Sequence, residues 1–156
     1  MSWSARLGEL GLLLPPVAIP AGVYLPAVRN GSLVFTAGQL PLVDGTLAAT
    51  GKLGAEIGTE QGQQLARVCV LNALAAVDGL VGLDAMVRVV KVVGFVASAP
   101  GFTAQPAVVN GASQLLGEVF GTAGGHARSA VGVAELPLDA PVEVELIVEV
   151  SAGPAG

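Results

Sequence analysis

Charged and aromatic residues are scarce in this sequence, at 12% and 4% of its 156 residues, whereas hydrophobic residues make up 53%. So few charged side chains cannot cover the surface of a monomer, and soluble monomers rarely expose large apolar patches. Self-association is a common way to cover such a patch. We therefore expect a homo-oligomer.

Cysteine, histidine and clustered basic residues are nearly absent. The single cysteine, Cys69, excludes an intrachain disulfide, and its apolar neighbours predict a buried structural thiol. One histidine and one cysteine make no convincing zinc site, and the motifs GxSxG and GxxxxGKS/T do not occur. A net charge of −5 without any Lys or Arg cluster argues against a nucleic-acid partner. We expect no metal and no other cofactor.

The sequence predicts no membrane-spanning helix. The most apolar stretch, 85–99, contains Arg88 and Lys91 and is shorter than the roughly 18 residues that a spanning helix needs. The N-terminal run stops at Pro15 and Pro16 without a small-residue cleavage pattern, which argues against a signal peptide. We expect a cytoplasmic protein with no membrane partner.

The length predicts one domain over residues 1–156, with an N-terminal extension at 1–17, a core at 18–150 and a frayed tail at 151–156. Apolar periodicity predicts helices, and Asn30-Gly31 predicts a hairpin turn. The predicted helices are 2–13, 59–80 (with Thr59 as N-cap) and one from 103 or 106 to 120. The predicted strands are 23–29, 32–37, 86–97 (buried on both faces) and two more after residue 125. This order indicates an α+β fold: a single sheet with the two long helices on one face, plus an N-terminal helix.

The stretch 125–133 holds the only histidine, His126, and one of the seven basic residues, Arg128. Strand periodicity places Arg128 on one face with Ala130 and Gly132, which leaves room for a small ligand. A guanidinium is the usual partner of a carboxylate, but an ordinary surface arginine in a salt bridge fits the pattern as well. His126 has the chemistry for acid–base work and is equally compatible with an incidental loop position.

The last strand alternates valines with glutamates, so that Glu143 and Glu145 share one face. This pattern is typical of a solvated sheet face. If the last two strands form a hairpin around 138–140, Glu143 lies roughly 20 Å from Arg128. One subunit then cannot bring both side chains to one ligand, whereas an oligomer can.

Three segments resemble the Rid (YjgF) family of reactive-intermediate deaminases, also called endoribonuclease L-PSP proteins. The run 126–137 (HARSAVGVAELP), followed by VEVE at 142–145, is similar to the family's C-terminal motif. The run 36–41 (TAGQLP) is similar to its Thr-Ser-Gly-Gln-hydrophobic-Pro motif. Tyr24 precedes that motif at the expected distance, and Asn110 lies where the family has an asparagine that opens its second helix.

This resemblance implies a chorismate-mutase-like sheet of about six strands, a homotrimer with clefts between subunits, and hydrolysis of 2-imino or 2-enamino acids to 2-keto acids and ammonia. Arg128 would bind the substrate carboxylate and Glu143 would orient or activate water. The other residues implied to bind substrate are Tyr24, Ala37, Gly38, Asn110, His126 and Ala130.

Three residues depart from the family pattern. Ala37 replaces a serine, Ala130 replaces a cysteine, and Gly132 replaces a glutamate often found in that strand. We expect Ala130 and Gly132 to enlarge the pocket. The alternatives to a deaminase are a non-catalytic protein that binds a small carboxylate in the same cleft and, third, a ribonuclease or translation inhibitor.

Overall fold

The structure, a computed structural model, describes residues 2–152. Its helices are α1 (Trp3–Glu9), α2 (Thr59–Val81) and α3 (Gln105–Phe120). Its strands are β1 (Ala27–Asn30), β2 (Leu33–Thr36), β3 (Leu42–Val43), β4 (Thr46–Leu47), β5 (Met86–Ala97), β6 (Ala127–Val133) and β7 (Val142–Val150). The predicted α+β fold with an N-terminal helix is confirmed, and residues 153–156 of the predicted frayed tail lie outside the described residues.

The main sheet has five strands in the order β1-β2-β7-β5-β6, one fewer than the six that we expected. Neighbouring strands in this sheet run antiparallel, except for β5 and β6, which run parallel. The strands β3 and β4 form a separate hairpin around Asp44 and Gly45. Both turn residues have positive φ (50° and 77°), which explains an Asp-Gly pair at this position.

The prediction that the last two strands form a hairpin is wrong. In the structure, β5 lies between β6 and β7, and α3 is the crossover that joins β5 to its parallel neighbour β6. Every second residue of β7, from Val142 to Val150, is buried in the structure. A strand with such an apolar face is stabilised most in the middle of the sheet, where it pairs with β2 on one side and β5 on the other.

The two long helices cover one face of this sheet. The helix α2 begins one residue beyond its N-cap, which is Gly58 and not Thr59 as predicted. It is long and apolar enough to span a bilayer by length and composition, but more than half of its apolar window is buried against the rest of the chain, as in the core helix of a globular domain. The helix α3 packs closely on α2 because Gly111 has no side chain. A Cβ at this position would collide with the backbone of Gln63.

The opposite face of the sheet, which we call the open face, has no covering layer among residues 2–152. Register places several large apolar residues on it, among them Val28, Phe35, Phe95, Val131 and Ile147. Val28, Phe35 and Val131 are 51%, 39% and 44% exposed. The strand β5 is therefore buried on its helix-facing side only, contrary to our prediction of burial on both faces, because no helix lies on the other side.

The N-terminal helix is shorter than predicted, since the chain leaves it through Gly11, which has a φ of 67°. Trp3 anchors this helix: its Nε1 donates to the carbonyl of Met86 (2.8 Å), and its ring meets that of Phe120 edge-on at 5.1 Å between centroids. The segment that follows runs without helix or strand as far as β1 and exposes Leu13, Ile19, Val23 and Leu25.

Candidate functional site

Arg128 lies on the edge strand β6 and points toward the helices. It pairs with Val92, whose side chain is buried beneath the helices, and paired residues of neighbouring strands face the same side. Its guanidinium reaches the first two turns of α3. Nη1 donates to Oδ1 of Asn110 (2.9 Å) and to Oγ of Ser113 (3.1 Å), and Nη2 donates to the carbonyl of Pro106 (3.3 Å).

These contacts leave a free pair of donors on Arg128. A guanidinium has five N–H groups. Both hydrogens of Nη1 and one of Nη2 are engaged, so Nε and the second Nη2 hydrogen remain without an acceptor among residues 2–152. No carboxylate pairs with Arg128 in that part of the chain, so the salt bridge considered above is not formed there. Nε and Nη2 are adjacent, which makes the free pair a fork suited to a carboxylate.

His126 and Ser113 continue the polar contacts behind Arg128. The Nδ1 of His126 lies 2.6 Å from the carbonyl of Gly124, and its Nε2 lies 2.9 Å from the Oγ of Ser113. Since a carbonyl only accepts, Nδ1 carries a hydrogen, and in the neutral ring Nε2 accepts from the serine hydroxyl. His126 is thus connected to Arg128 by two hydrogen bonds that meet at Ser113. It is not an isolated loop residue.

The space above Gly132 is not open, contrary to our expectation of an enlarged pocket. A Cβ at this position would lie 2.7 Å from Nε2 of Gln105 and 3.0 Å from Oγ of Ser98. Those two side chains are hydrogen-bonded to each other (3.1 Å) and fill the volume that a glutamate at Gly132 would need. Ala130 lies between this pair and Arg128 on the same face of β6.

Glu143 lies on the open face, half-buried and directly beside Gly38. Two backbone hydrogen bonds between Gln39 and Val144 (2.9 and 3.0 Å) hold the end of the 36–41 motif against β7. A Cβ on Gly38 would overlap the carboxylate of Glu143, so only glycine permits this approach. Burial raises the pKa of the Glu143 carboxyl above its ordinary value, and the negative charge of Glu145 raises it further.

Tyr24 and Ala37 lie near Gly38 on the Glu143 side of the molecule. The backbone N–H of Ala37 donates to the carbonyl of Pro26 (2.8 Å), which fixes the chain just before β1 against the motif. Tyr24 is half exposed, its hydroxyl accepts from the N–H of Ala21 (3.3 Å), and it lines a small pocket together with Gly38.

The predicted residues therefore form two groups. The Arg128 group contains Asn110, His126, Arg128 and Ala130, which Ser113 joins in the structure, and the Glu143 group contains Tyr24, Ala37, Gly38 and Glu143. Val92 and Phe95 on β5 are the register partners of Arg128 and Glu143, respectively, and they face opposite sides of the sheet. Two strand spacings and three residues along β5 put their Cα atoms about 14 Å apart. One chain therefore cannot present both side chains to one small ligand. The sheet lies between them, whereas we expected the length of a hairpin to separate them.

Ser113 was missed by the sequence reasoning. The signal was present, because Ser113 follows Asn110 by three residues and residues three apart share one helix face. Gln105 and Ser98 gave no comparable signal, since their meeting above Gly132 depends on the packing of α3 over β5 and β6.

With its five-stranded sheet covered on one face by helices, the chain is a small α+β domain whose candidate site residues lie in two separate groups. A profile of the endoribonuclease L-PSP family matches residues 16–150, and the chain belongs to this family, which is the Rid (YjgF) family that the sequence motifs indicated.

Several known proteins are similar to it. Protein TCP17 of Trypanosoma cruzi is 45% identical over 150 residues, which cover 95% of this chain and 94% of that protein. The crystal structure of Atu1372 from Agrobacterium tumefaciens, a protein of unknown function, is 41% identical with a TM-score of 0.87 and covers 97% of this chain and 93% of the other. The E. coli protein TdcF, solved with bound serine, is 28% identical with a TM-score of 0.63, over 88% and 94% of the two chains.

Proposed function

We propose that this protein forms a cytoplasmic homotrimer that binds small carboxylate-bearing metabolites in clefts between protomers and hydrolyses 2-imino or 2-enamino acids to 2-keto acids and ammonia. The observation that carries the proposal is the free donor fork of Arg128, which lies beside no carboxylate of residues 2–152. A ligand carboxylate would complete that fork with two parallel hydrogen bonds. Serine, the ligand of the related TdcF, carries such a carboxylate.

The open face supports the assembly in this proposal. Val28, Phe35 and Val131 remain exposed there, and an exposed apolar patch of this kind is typical of an interface with another protein chain. Copies of the same chain would bury these side chains. The same contact would bring the Glu143 group of one protomer to the Arg128 group of the next. The two groups cannot meet within one chain, because Arg128 and Glu143 lie on opposite faces of its sheet.

Hydrolysis of an imine needs few catalytic groups. Water attacks the imine carbon, the carbon–nitrogen bond breaks, ammonia leaves and the carbonyl of the keto acid forms. Arg128 holds the carboxylate so that the imine carbon is placed for attack. Glu143 accepts a proton from the attacking water and returns it to the departing nitrogen. The raised pKa of this carboxyl brings it closer to neutrality, where one group serves best as both base and acid.

The test is ammonia release from imines that an amino acid oxidase generates in situ. Wild type should accelerate release over buffer, and Arg128→Ala should abolish the acceleration. Arg128→Lys keeps the charge but loses the fork, so it should raise KM. No acceleration by wild type, or equal rates from wild type and Arg128→Ala, would overturn the deaminase proposal.

A second candidate, a non-catalytic binding protein, is favoured by one observation. Ala130 and Gly132 place no acid–base side chain beside Arg128, and Gln105 and Ser98 fill the position next to Gly132. This candidate predicts calorimetric binding of a 2-keto acid that depends on Arg128, without turnover of any imine. Turnover in the oxidase assay would exclude it.

A further inference from the structure

The half-buried polar residues behind Arg128 form a chain of hydrogen bonds that all run in one direction. Arg128 donates from Nη1 to the Oγ of Ser113. The hydroxyl of Ser113 is then free to donate to Nε2 of His126, whose Nδ1–H donates to the carbonyl of Gly124. Ser113 and His126 each accept one hydrogen bond and donate the next, and such chains strengthen their individual bonds.

We propose that Ser113 and His126 are positioning residues for Arg128: their hydrogen bonds fix the rotation of the guanidinium and so keep its Nε/Nη2 fork aimed at the ligand. This inference rests on the proposed carboxylate site and adds two residues that do not touch the ligand. A serine hydroxyl and an imidazole carry no negative charge, so these hydrogen bonds hold the guanidinium without neutralising it.

The geometry gives each residue a separate part. Asn110 is exposed and holds Nη1 from the solvent side, whereas Ser113 lies one helical turn further on and is half-buried. His126 reaches Ser113 from the start of the segment that becomes β6, so its ring is fixed to the same strand that carries Arg128. Loss of the serine hydroxyl would remove one acceptor from Nη1 and the donor to His126 at once.

The test compares Ser113→Ala with Ser113→Thr, which keeps the hydroxyl. Calorimetric titration with pyruvate should show a Kd raised roughly three- to tenfold by Ser113→Ala, the fold-change expected for one lost hydrogen bond. Ser113→Thr should restore affinity. In the oxidase assay the effect should fall on KM more than on kcat, because a positioning residue acts on carboxylate binding. Gln114→Ala, an exposed neighbour on α3, is the matched control.

A second measurement does not depend on ligand. His126 is the only histidine, so a long-range ¹H–¹⁵N spectrum contains a single imidazole. In wild type it should show the Nδ1–H tautomer with Nε2 as hydrogen-bond acceptor, and the Nε2 resonance should move in Ser113→Ala but not in Gln114→Ala. An Nε2–H tautomer in wild type would overturn the chain.

The outcomes separate this inference from the proposed function. If Arg128→Ala loses pyruvate binding while Ser113→Ala keeps wild-type affinity, the carboxylate site stands and the positioning role is wrong. If wild type and Arg128→Ala bind pyruvate equally, the proposed site is wrong and the positioning role is wrong with it.

Discussion

Two inactive variants of this protein should restore activity when they share a trimer. In the proposed function Arg128→Ala removes the carboxylate anchor and Glu143→Gln removes the proton acceptor, so each variant alone should be inactive. Because the two side chains face opposite sides of one sheet, each cleft of the proposed trimer would take Arg128 from one protomer and Glu143 from its neighbour. In trimers mixed at random from equal amounts of the two variants, about one cleft in four receives both intact residues. The mixture should therefore show about a quarter of wild-type specific activity.

The assay is ammonia release after the two variants are unfolded together and refolded, or co-expressed with different tags. A mixture of wild type with the double variant is the control. If clefts are shared it should fall to about a quarter of wild-type activity, and if each chain has its own site it should fall to about half. A mixture of the single variants that stays as inactive as its parents would refute the shared cleft.

Three further predictions concern glycines and the buried carboxyl. Gly38→Ala would place a Cβ on the Glu143 carboxylate, which must rotate away, so ammonia release should fall about 100-fold with little change in Tm. Glu143→Gln should raise the free energy of unfolding at about pH 7 and leave it unchanged below about pH 4. On α3, Gly111→Ala would collide with the Gln63 backbone and should cost about 1–3 kcal/mol in a urea titration, whereas Gly117→Ala meets no atom within 4 Å and should gain up to about 1 kcal/mol.

The sign of the pH effect follows from the direction of the shift. Burial raises the pKa of the Glu143 carboxyl in the folded chain, so between the unfolded and the folded pKa the folded state binds more protons. Its stability falls as the pH rises through that window, and glutamine removes the loss. A Glu143→Gln variant that is less stable at neutral pH would instead indicate a cation of a neighbouring protomer beside the carboxylate. Full activity of Gly38→Ala would show that the orientation of Glu143 is immaterial.

The local features of the fold were predictable from the sequence. The 3.6-residue period located α2 and α3 to within a few residues, and the Asn30-Gly31 turn located the first hairpin. The two-residue alternation of a strand assigned Arg128 and Ala130 to one face of β6. These features depend on residues close together in the sequence, because the spacing of apolar side chains indicates which face of a helix or strand is buried.

The pairing of distant strands was not predictable. The segment between β6 and β7 contains Leu138 and Asp139 with positive φ and has the composition of a tight turn, yet it carries the chain past the end of β5. The sequence of this segment does not distinguish a hairpin turn from a connection that crosses the end of a third strand. The difference lies in the packing of α3, which places β6 parallel to β5 and leaves the apolar β7 in the middle of the sheet.

The strand order separates the proposed binding group from the proposed catalytic group within one chain. The Arg128 group is complete in a single protomer, since Asn110 and Ser113 belong to the adjacent helix of the same chain. In the proposed trimer the Glu143 group would reach it from a neighbouring protomer. Dissociation into monomers should therefore abolish turnover first, while the donor fork of Arg128 remains able to bind a carboxylate weakly. A dilution series that loses ammonia release and pyruvate binding in parallel would show that the neighbour also contributes to holding the carboxylate.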